Sequence, residues 1–279
     1  MTDSASTSAG TARAPRLESV ISRSRDPGAG ELTCTGISKS FGGVQALKDV
    51  SLKVADHAIT GLIGPNGAGK TTLFNSLTGF LPPDKGEVWF RGKRVDRLAP
   101  YRVARLGMIR TFQSIRMFEG LTVYESVRVA RYNVYAASKG LLARSIGWSH
   151  RQRQQDEETI RDIIAWLNLY EVRNRKCTTL PLLTQRKVEV ARAIACEPLL
   201  LLLDEPSAGA TASEREELAR VFAALPGIGV TVFLIEHNVP FVAELCSSVY
   251  CMNFGEIVAE GPTAEVLASQ VVQEVYLGS

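Results

Sequence analysis

The stretch GLIGPNGAGKTT, residues 61–72, decides the fold of this chain. Gly64, Gly69, Lys70 and Thr71 fill the pattern G-x-x-x-x-G-K-[ST], between an apolar, strand-like run and a helix-like run. Glycines let successive backbone N–H groups turn inward around phosphate oxygens, and the following helix points its positive N-terminal end at the same anion. The stretch therefore predicts a strand–loop–helix unit that binds a nucleoside triphosphate.

The loop is predicted to hold the phosphates through both backbone and side chains. Lys70 would reach the β- and γ-phosphates, and the Thr71 hydroxyl would ligate Mg²⁺. Guanine is not expected as the base, because the chain contains no N-K-x-D stretch. The loop residues predicted to contact the nucleotide are Gly64, Pro65, Asn66, Gly67, Ala68, Gly69, Lys70, Thr71 and Thr72.

The composition is that of a globular protein. The 279 residues are 45% hydrophobic and 22% charged, and such a length allows one large domain or two small ones. A net charge of +3 is too small to indicate a nucleic-acid partner, and none is expected. The five cysteines form no C-x-x-C pair, so reduced, buried thiols are expected rather than a metal or redox site.

Residues 1–30 are rich in Ser, Thr, Ala, Gly and Arg, and this composition predicts a disordered tail. A transit peptide is the alternative, whereas a secretory signal peptide would need an apolar segment that the tail lacks. No apolar run approaches the roughly 20 residues that span a bilayer. If the protein works at a membrane, other subunits are expected to carry the spanning segments, and residues 31–279 form the folded domain.

Apolar patterning predicts the elements around the loop. The predicted strands are 31–36, 50–54, 58–63, 86–91, 109–113, 199–203 and 230–235, with a hairpin formed by 249–252 and 256–259. The predicted helical regions are 123–169, 185–196, 213–225 and 264–268. A turn is expected at 39–43, a helix cap at Ser213 with Glu216 three residues on, and a tail that ends with residues 275–279.

Two acidic residues follow the most apolar of these strands. Residues 199–203 are five leucines, a run typical of a central parallel strand that is covered on both faces. Asp204 comes at the strand end, where it would orient Mg²⁺, and Glu205 would polarise a water molecule aimed at the γ-phosphate. Glu236 and His237 end the second buried strand in the same way.

In order and spacing, these motifs resemble the ATP-binding cassette of an ABC transporter, and the resemblance covers residues 31–279. It implies an α/β fold: a P-loop NTPase core with a mainly parallel sheet, an N-terminal antiparallel β part and a helical subdomain at about 114–198. It also implies roles for individual residues. Phe41 would stack on adenine, Gln113 would sense Mg²⁺ and the γ-phosphate and link to a membrane subunit, Glu205 would be the general base, and His237 would contact the γ-phosphate and hold the attacking water.

Residues 105–118, residues 121–123 and the C-terminal end are similar to the larger ATPase subunit of branched-chain amino acid uptake systems. That resemblance implies ATP hydrolysis that energises uptake of branched-chain amino acids or similar small polar solutes. The implied partners are membrane-spanning permease subunits, a second ATPase subunit and an external solute-binding protein. The implied location is the cytoplasmic face of the cell membrane.

The signature segment departs from the family pattern. Pro181, Leu183 and Thr184 stand where the family has serine, glycine and glutamine, and Pro181 has neither a hydroxyl nor an N–H group. The family's signature acts on ATP held by the other cassette, so this departure favours a heterodimer with one good site over a homodimer with two poor ones. The alternative is a nucleotide-dependent clamp or regulatory subunit with little hydrolysis of its own.

Overall fold

The computed structural model of the chain describes residues 28, 30–113, 117–138 and 150–277. The tail predicted for residues 1–30 lies outside them, apart from Gly28 and Gly30. Residues 114–116 and 139–149 of the predicted helical subdomain also lie outside, so the boundaries given for that subdomain stay a prediction.

The strands form a four-stranded sheet in the order β2-β1-β4-β5 and a six-stranded sheet in the order β10-β9-β3-β8-β7-β6. The strands are β1 (Leu32–Phe41), β2 (Val44–Val54), β3 (Ile59–Ile63), β4 (Lys85–Phe90), β5 (Lys93–Arg94), β6 (Met108–Arg110), β7 (Leu200–Asp204), β8 (Thr231–Ile235), β9 (Ser248–Asn253) and β10 (Glu256–Pro262). The smaller sheet is antiparallel, and the larger is parallel except for β10 at its edge. The predicted fold class is therefore confirmed.

The helices lie between and after these strands. They are α1 (Lys70–Leu77), α2 (Pro100–Arg105), α3 (Val123–Ser138), α4 (His150–Trp166), α5 (Leu182–Ala195), α6 (Ala212–Ala223), α7 (Val239–Leu245), α8 (Thr263–Ala268) and α9 (Gln270–Leu277). Short 3-10 turns occur at Tyr170–Val172, Cys177–Thr179 and Pro226–Ile228. Among the described residues, no helix is long and apolar enough to cross a membrane.

The parallel sheet separates two apolar cores. Alternate side chains of β7 point to opposite faces, so Leu201 and Leu203 enter one core while Leu200 and Leu202 enter the other. The first core also receives side chains from α3 to α9, and the second receives those of α1 and the antiparallel sheet. Since both faces are covered, the central strands are buried without alternation, as the run of leucines in β7 predicted.

Parallel pairing brings three strand ends to one edge of the larger sheet. β3 pairs with β8, and β8 pairs with β7 so that Asp204 lies opposite Ile235. The residues that follow these strands, Gly64, Glu205 and Glu236, therefore emerge together. In open α/β sheets the carboxyl ends of the strands are where ligands bind.

The cap predicted for the helix after β7 is wrong by two residues. Thr211, not Ser213, is the N-cap of α6; its hydroxyl accepts from the Glu214 N–H, and the Glu214 side chain accepts from the Thr211 N–H. Both Thr211 and Ser213 are followed three residues later by a glutamate, so local sequence fits either start. The path of the backbone after β7 gives Thr211 the extended conformation that a cap requires.

Two other predictions are corrected and a third is refined. β1 continues through Phe41, which pairs with Val44, so the predicted turn at 39–43 shrinks to Gly42 and Gly43, both with positive φ. β6 ends at Arg110, and Gln113 lies in the loop beyond it rather than in a strand. The segment predicted only as a tail contains helix α9, which buries Val272 against the first core.

The capping box gives a stability test. Thr211→Ala removes the side-chain acceptor of α6 and is expected to lower the free energy of unfolding by about 1 kcal/mol, whereas Ser213→Ala is expected to be nearly neutral. Urea denaturation of both variants measures the difference. A larger loss for Ser213→Ala than for Thr211→Ala would contradict the assignment of the cap.

Candidate active site

The phosphate loop lies between β3 and α1, as its sequence predicted. Gly69 occupies the N-cap position of α1 with φ +107°, and no described side chain caps the helix. The first turn also holds no acidic residue. The first N–H groups of α1 are therefore available to an anion, and the positive end of the helix dipole lies at the same place.

Two glycines of the loop are required by close backbone contacts. A Cβ at Gly64, where φ is +146°, would lie 2.1 Å from the Met252 carbonyl oxygen. A Cβ at Gly69 would lie 2.6 Å from the Ala46 carbonyl oxygen. The loop is thus pressed between the end of β9 and the start of β2, and this packing fixes its shape before any ligand binds.

Lys70 is almost buried and folds back over the loop. Its Nζ donates to the Gly64 carbonyl at 2.7 Å and to the Pro65 carbonyl at 2.9 Å. Burial lowers the pKa of Lys70 below its ordinary value, while the nearby carboxylates of Glu205 and Asp204 oppose that shift. The ammonium group therefore has two neutral carbonyl partners that phosphate oxygens could replace.

Asp204 is held by a residue that sequence reasoning did not single out. The Arg110 guanidinium donates from Nη2 to Asp204 Oδ2 at 2.7 Å and from Nη1 to Asn75 Oδ1 at 2.6 Å. It also lies 5.5 Å from the Phe74 ring centroid and 5.3 Å from that of Phe112. The Arg110 and Asp204 side chains are 5% and 4% exposed, so this is a buried ion pair. The sequence signal that could have identified Arg110 is the presence of an arginine within a short apolar strand.

Glu205 lies beside two other predicted residues. Gln113 Nε2 donates to Glu205 Oε2 at 2.8 Å, and His237 Nδ1 lies 3.9 Å from the same oxygen. Glu205 has φ +47°, a left-handed conformation that is uncommon for a residue with a side chain. Its N–H donates to the Ile235 carbonyl, which ties the end of β7 to β8. The structure therefore brings together the predicted base, sensor and histidine.

Glu236 connects the two loops that carry this group. Its carboxylate is fully buried; Oε1 accepts from the Ser207 N–H at 2.8 Å. Oε2 accepts from the N–H groups of His237 and Asn238 at 3.2 and 3.4 Å. The loop after β7 and the loop after β8 are thereby fixed to each other. Glu236 matches the family pattern in the sequence, but the pattern alone assigned it no role.

A second connection joins Gln113 to helix α5. Arg186 Nη2 donates to the Gln113 carbonyl at 3.1 Å, and the Phe112 N–H donates to Glu189 Oε1 at 3.4 Å. Burial raises the pKa of Glu189, although the Phe112 N–H and Arg186 favour its charged form. The loop that carries Gln113 is thus attached to the helix that begins with the unusual signature segment.

With this geometry in place, the chain can be compared with known proteins. The family model described as ABC transporter matches residues 47–208, which include the phosphate loop, Gln113 and Glu205. The chain belongs to the ABC transporter family. It is an ABC-type ATPase, and the resemblance read from its motifs is confirmed.

Relatives align with this ABC ATPase over almost their whole length. The high-affinity branched-chain amino acid transport ATP-binding protein LivG of Salmonella typhimurium is 37% identical over 251 residues, covering 88% of this chain and 97% of LivG. BraF of Pseudomonas aeruginosa, which has the same description, is 36% identical, and the alignment covers 88% of this chain and 97% of BraF. The lipopolysaccharide export system ATP-binding protein LptB of Haemophilus influenzae is 32% identical over 88% of this chain and 97% of LptB.

The fold of the ABC ATPase is also found in solved structures. A nucleotide-free ATP-binding cassette from an ABC transporter superposes with a TM-score of 0.76, is 30% identical, and aligns over 89% of this chain and 99% of that chain. These comparisons do not favour the alternative of a clamp or regulatory subunit.

The remaining predicted residues are more dispersed in the cassette. Phe41 ends β1 and is 48% exposed, and the Lys39 Nζ lies 5.9 Å from its ring centroid. Pro181 is the exposed N-cap residue of α5 and offers no side-chain cap; Leu183 and Thr184 follow in the first turn, half-buried. The signature segment therefore starts the helix that packs on α3 and α4.

The buried ion pair gives a second test. Arg110→Gln leaves the Asp204 carboxylate buried without its cation, so the free energy of unfolding of the nucleotide-free protein is expected to fall by about 3 kcal/mol. The control Lys48→Gln breaks the exposed pair with Glu256 and is expected to change it by less than about 1 kcal/mol. Urea denaturation compares the two variants, and equal effects would contradict the importance of the Arg110–Asp204 pair.

Proposed function

We propose that this ABC ATPase hydrolyses ATP to power the uptake of branched-chain amino acids or similar small polar solutes. The observation that carries the hydrolysis is the meeting of Gln113, Glu205 and His237 beside Lys70 and the phosphate loop. The substrate class is supported by LivG and BraF, which are described as branched-chain amino acid transport ATP-binding proteins. LptB, described as a lipopolysaccharide export protein, is less similar.

Each group has a chemical task in this proposal. The loop N–H groups and Lys70 bind the phosphates, and Phe41, half exposed at the end of β1, stacks on adenine. Glu205 accepts a proton from the attacking water. The hydrogen bond from the Gln113 side-chain amide orients the Glu205 carboxylate. His237, whose ring is more than half exposed, contacts the γ-phosphate and holds that water.

The residues at this edge fit a magnesium ion. Thr71, Gln113 and Asp204 offer hydroxyl, amide and carboxylate oxygens, the hard ligands that Mg²⁺ prefers. The described residues contain no group of three His, Cys, Asp or Glu side chains that could hold a metal, which suits a cation bound mainly by substrate phosphates. When bound, Mg²⁺ neutralises charge on the β- and γ-phosphates.

The partners follow from the same comparison and from the surface near Gln113. Phe80 is 53% exposed, and its ring lies edge-on to that of Phe112 with centroids 5.6 Å apart. This apolar surface adjoins Gln113, which supports contact with a membrane-spanning permease subunit there. The ATPase would thus work at the cytoplasmic face of the cell membrane, in a system that also has an external solute-binding protein.

A second, different ATPase subunit completes the proposal. A signature acts on ATP held by the other cassette, and here its usual donors are replaced by Pro181, Leu183 and Thr184. A partner with an intact signature would complete the site on this chain's phosphate loop. The site that depends on Pro181 would be the weaker one, since each missing charge-assisted hydrogen bond costs about 1.5–3 kcal/mol.

Mixing experiments test the hydrolysis and the heterodimer together. The purified chain alone is expected to hydrolyse ATP slowly, and addition of a candidate partner cassette with an intact signature is expected to raise the rate. Glu205→Gln in this chain should lower the rate of the mixture about 10² to 10⁴-fold, because the general base is lost.

The matched control for that experiment is Glu256→Gln, the same chemical change on an exposed glutamate that pairs with Lys48. It should leave the rate unchanged. Fast hydrolysis by the chain alone would contradict the heterodimer, and a fully active Glu205→Gln mixture would contradict the role of Glu205.

A transport assay tests the substrate separately. In the native cell, replacing this chain by its Lys70→Ala variant is expected to abolish uptake of labelled leucine, isoleucine and valine, since Lys70 binds the transferred phosphate. Uptake of an unrelated sugar is the control. Unchanged uptake of all three amino acids, with ATP hydrolysis intact in the wild type, would overturn the substrate class alone.

A further inference from the structure

The last described turn of the chain reaches the phosphate loop. The Tyr276 hydroxyl, near the end of α9, accepts a hydrogen bond from the Gly64 N–H at 3.0 Å. The two residues are 212 positions apart in the sequence. The sequence predicts only a tail in this segment and gives no sign of the contact.

Gly64 is held by three close contacts. Its N–H donates to Tyr276, its carbonyl accepts from Lys70 Nζ at 2.7 Å, and its Cα faces the Met252 carbonyl with no room for a Cβ. Gly64 is also the first residue after β3, where the chain leaves the sheet. The direction in which the phosphate loop starts is therefore set by the Gly64 peptide.

Helix α9 has the packing that such a contact needs. Val272 is buried, and Val275 and Tyr276 pack half-buried against the first core. Burial raises the pKa of Tyr276, with the Gly64 N–H acting in the opposite direction, so the phenol remains neutral at physiological pH. The hydroxyl is thus a fixed, uncharged acceptor rather than a mobile side chain on the surface.

We propose that Tyr276 is a positioning residue for nucleotide binding, which couples the docking of α9 to occupation of the phosphate loop through Gly64. Phosphate oxygens would draw Lys70 away from the Gly64 carbonyl, and Tyr276 would then keep the Gly64 peptide in place. A loop that is already oriented binds the nucleotide more tightly, because less conformational entropy is lost on binding. By linkage, a bound nucleotide must stabilise the docked helix by the same free energy. The inference rests on the proposed binding of ATP at this loop.

The test compares two Tyr→Phe variants of the full chain. Tyr276→Phe removes the acceptor for Gly64, while Tyr250→Phe removes a partly buried hydroxyl that bonds the backbone of Lys53 instead. The dissociation constant of a fluorescent ADP is measured for both, together with KM and kcat for ATP in the presence of the partner cassette. Tyr276→Phe is expected to raise the dissociation constant and KM about fivefold with kcat nearly unchanged, as one net hydrogen bond allows.

Hydrogen exchange supplies an independent readout. ADP is expected to slow amide exchange in residues 270–277 of the wild type and of Tyr250→Phe, and to have little effect there in Tyr276→Phe. If Tyr276→Phe binds ADP as tightly as the wild type, or if Tyr250→Phe weakens binding equally, the inference is overturned. A wild type that binds no nucleotide would instead overturn the proposed function on which it rests.

Discussion

The parallel register of three buried strands is the constraint on which the site depends. β3, β7 and β8 are buried along their whole length in the centre of the sheet, and their pairing brings Ile63, Asp204 and Ile235 to one edge. The residues that follow, Gly64, Glu205 and Glu236, therefore lie at that edge together. Nucleotide chemistry is possible there because polar groups are concentrated where the apolar strands stop.

Buried charged groups at that edge find their partners within the protein itself. Arg110 neutralises Asp204, Lys70 bonds two carbonyls, and Glu236 accepts three backbone N–H groups. A buried charge without a partner would cost several kcal/mol, so each of these pairings stabilises the nucleotide-free protein. In the proposed function, phosphate oxygens would replace the two carbonyl partners of Lys70, so its charge would have partners both with and without the ligand.

Local patterns predicted the phosphate loop, the leucine strand and the groups at Glu205 and His237, because each pattern extends over only a few neighbouring residues. They could not reveal Arg110 against Asp204, 94 positions apart, or Tyr276 against Gly64. Such contacts depend on which strands become neighbours and on where the last helix packs. The misplaced cap of α6 has the same origin, since two overlapping motifs were equally good locally and the rest of the fold decided between them.

The attachment of the Gln113 loop to α5 has a mechanical consequence. Arg186 and Glu189 lie one turn apart on a single rigid helix and hold adjacent backbone groups of that loop. A displacement of the loop would therefore be transmitted along the helix to its first turn. In the proposed heterodimer that first turn would face the nucleotide of the partner cassette, so each subunit would report its own state to the other through one helix.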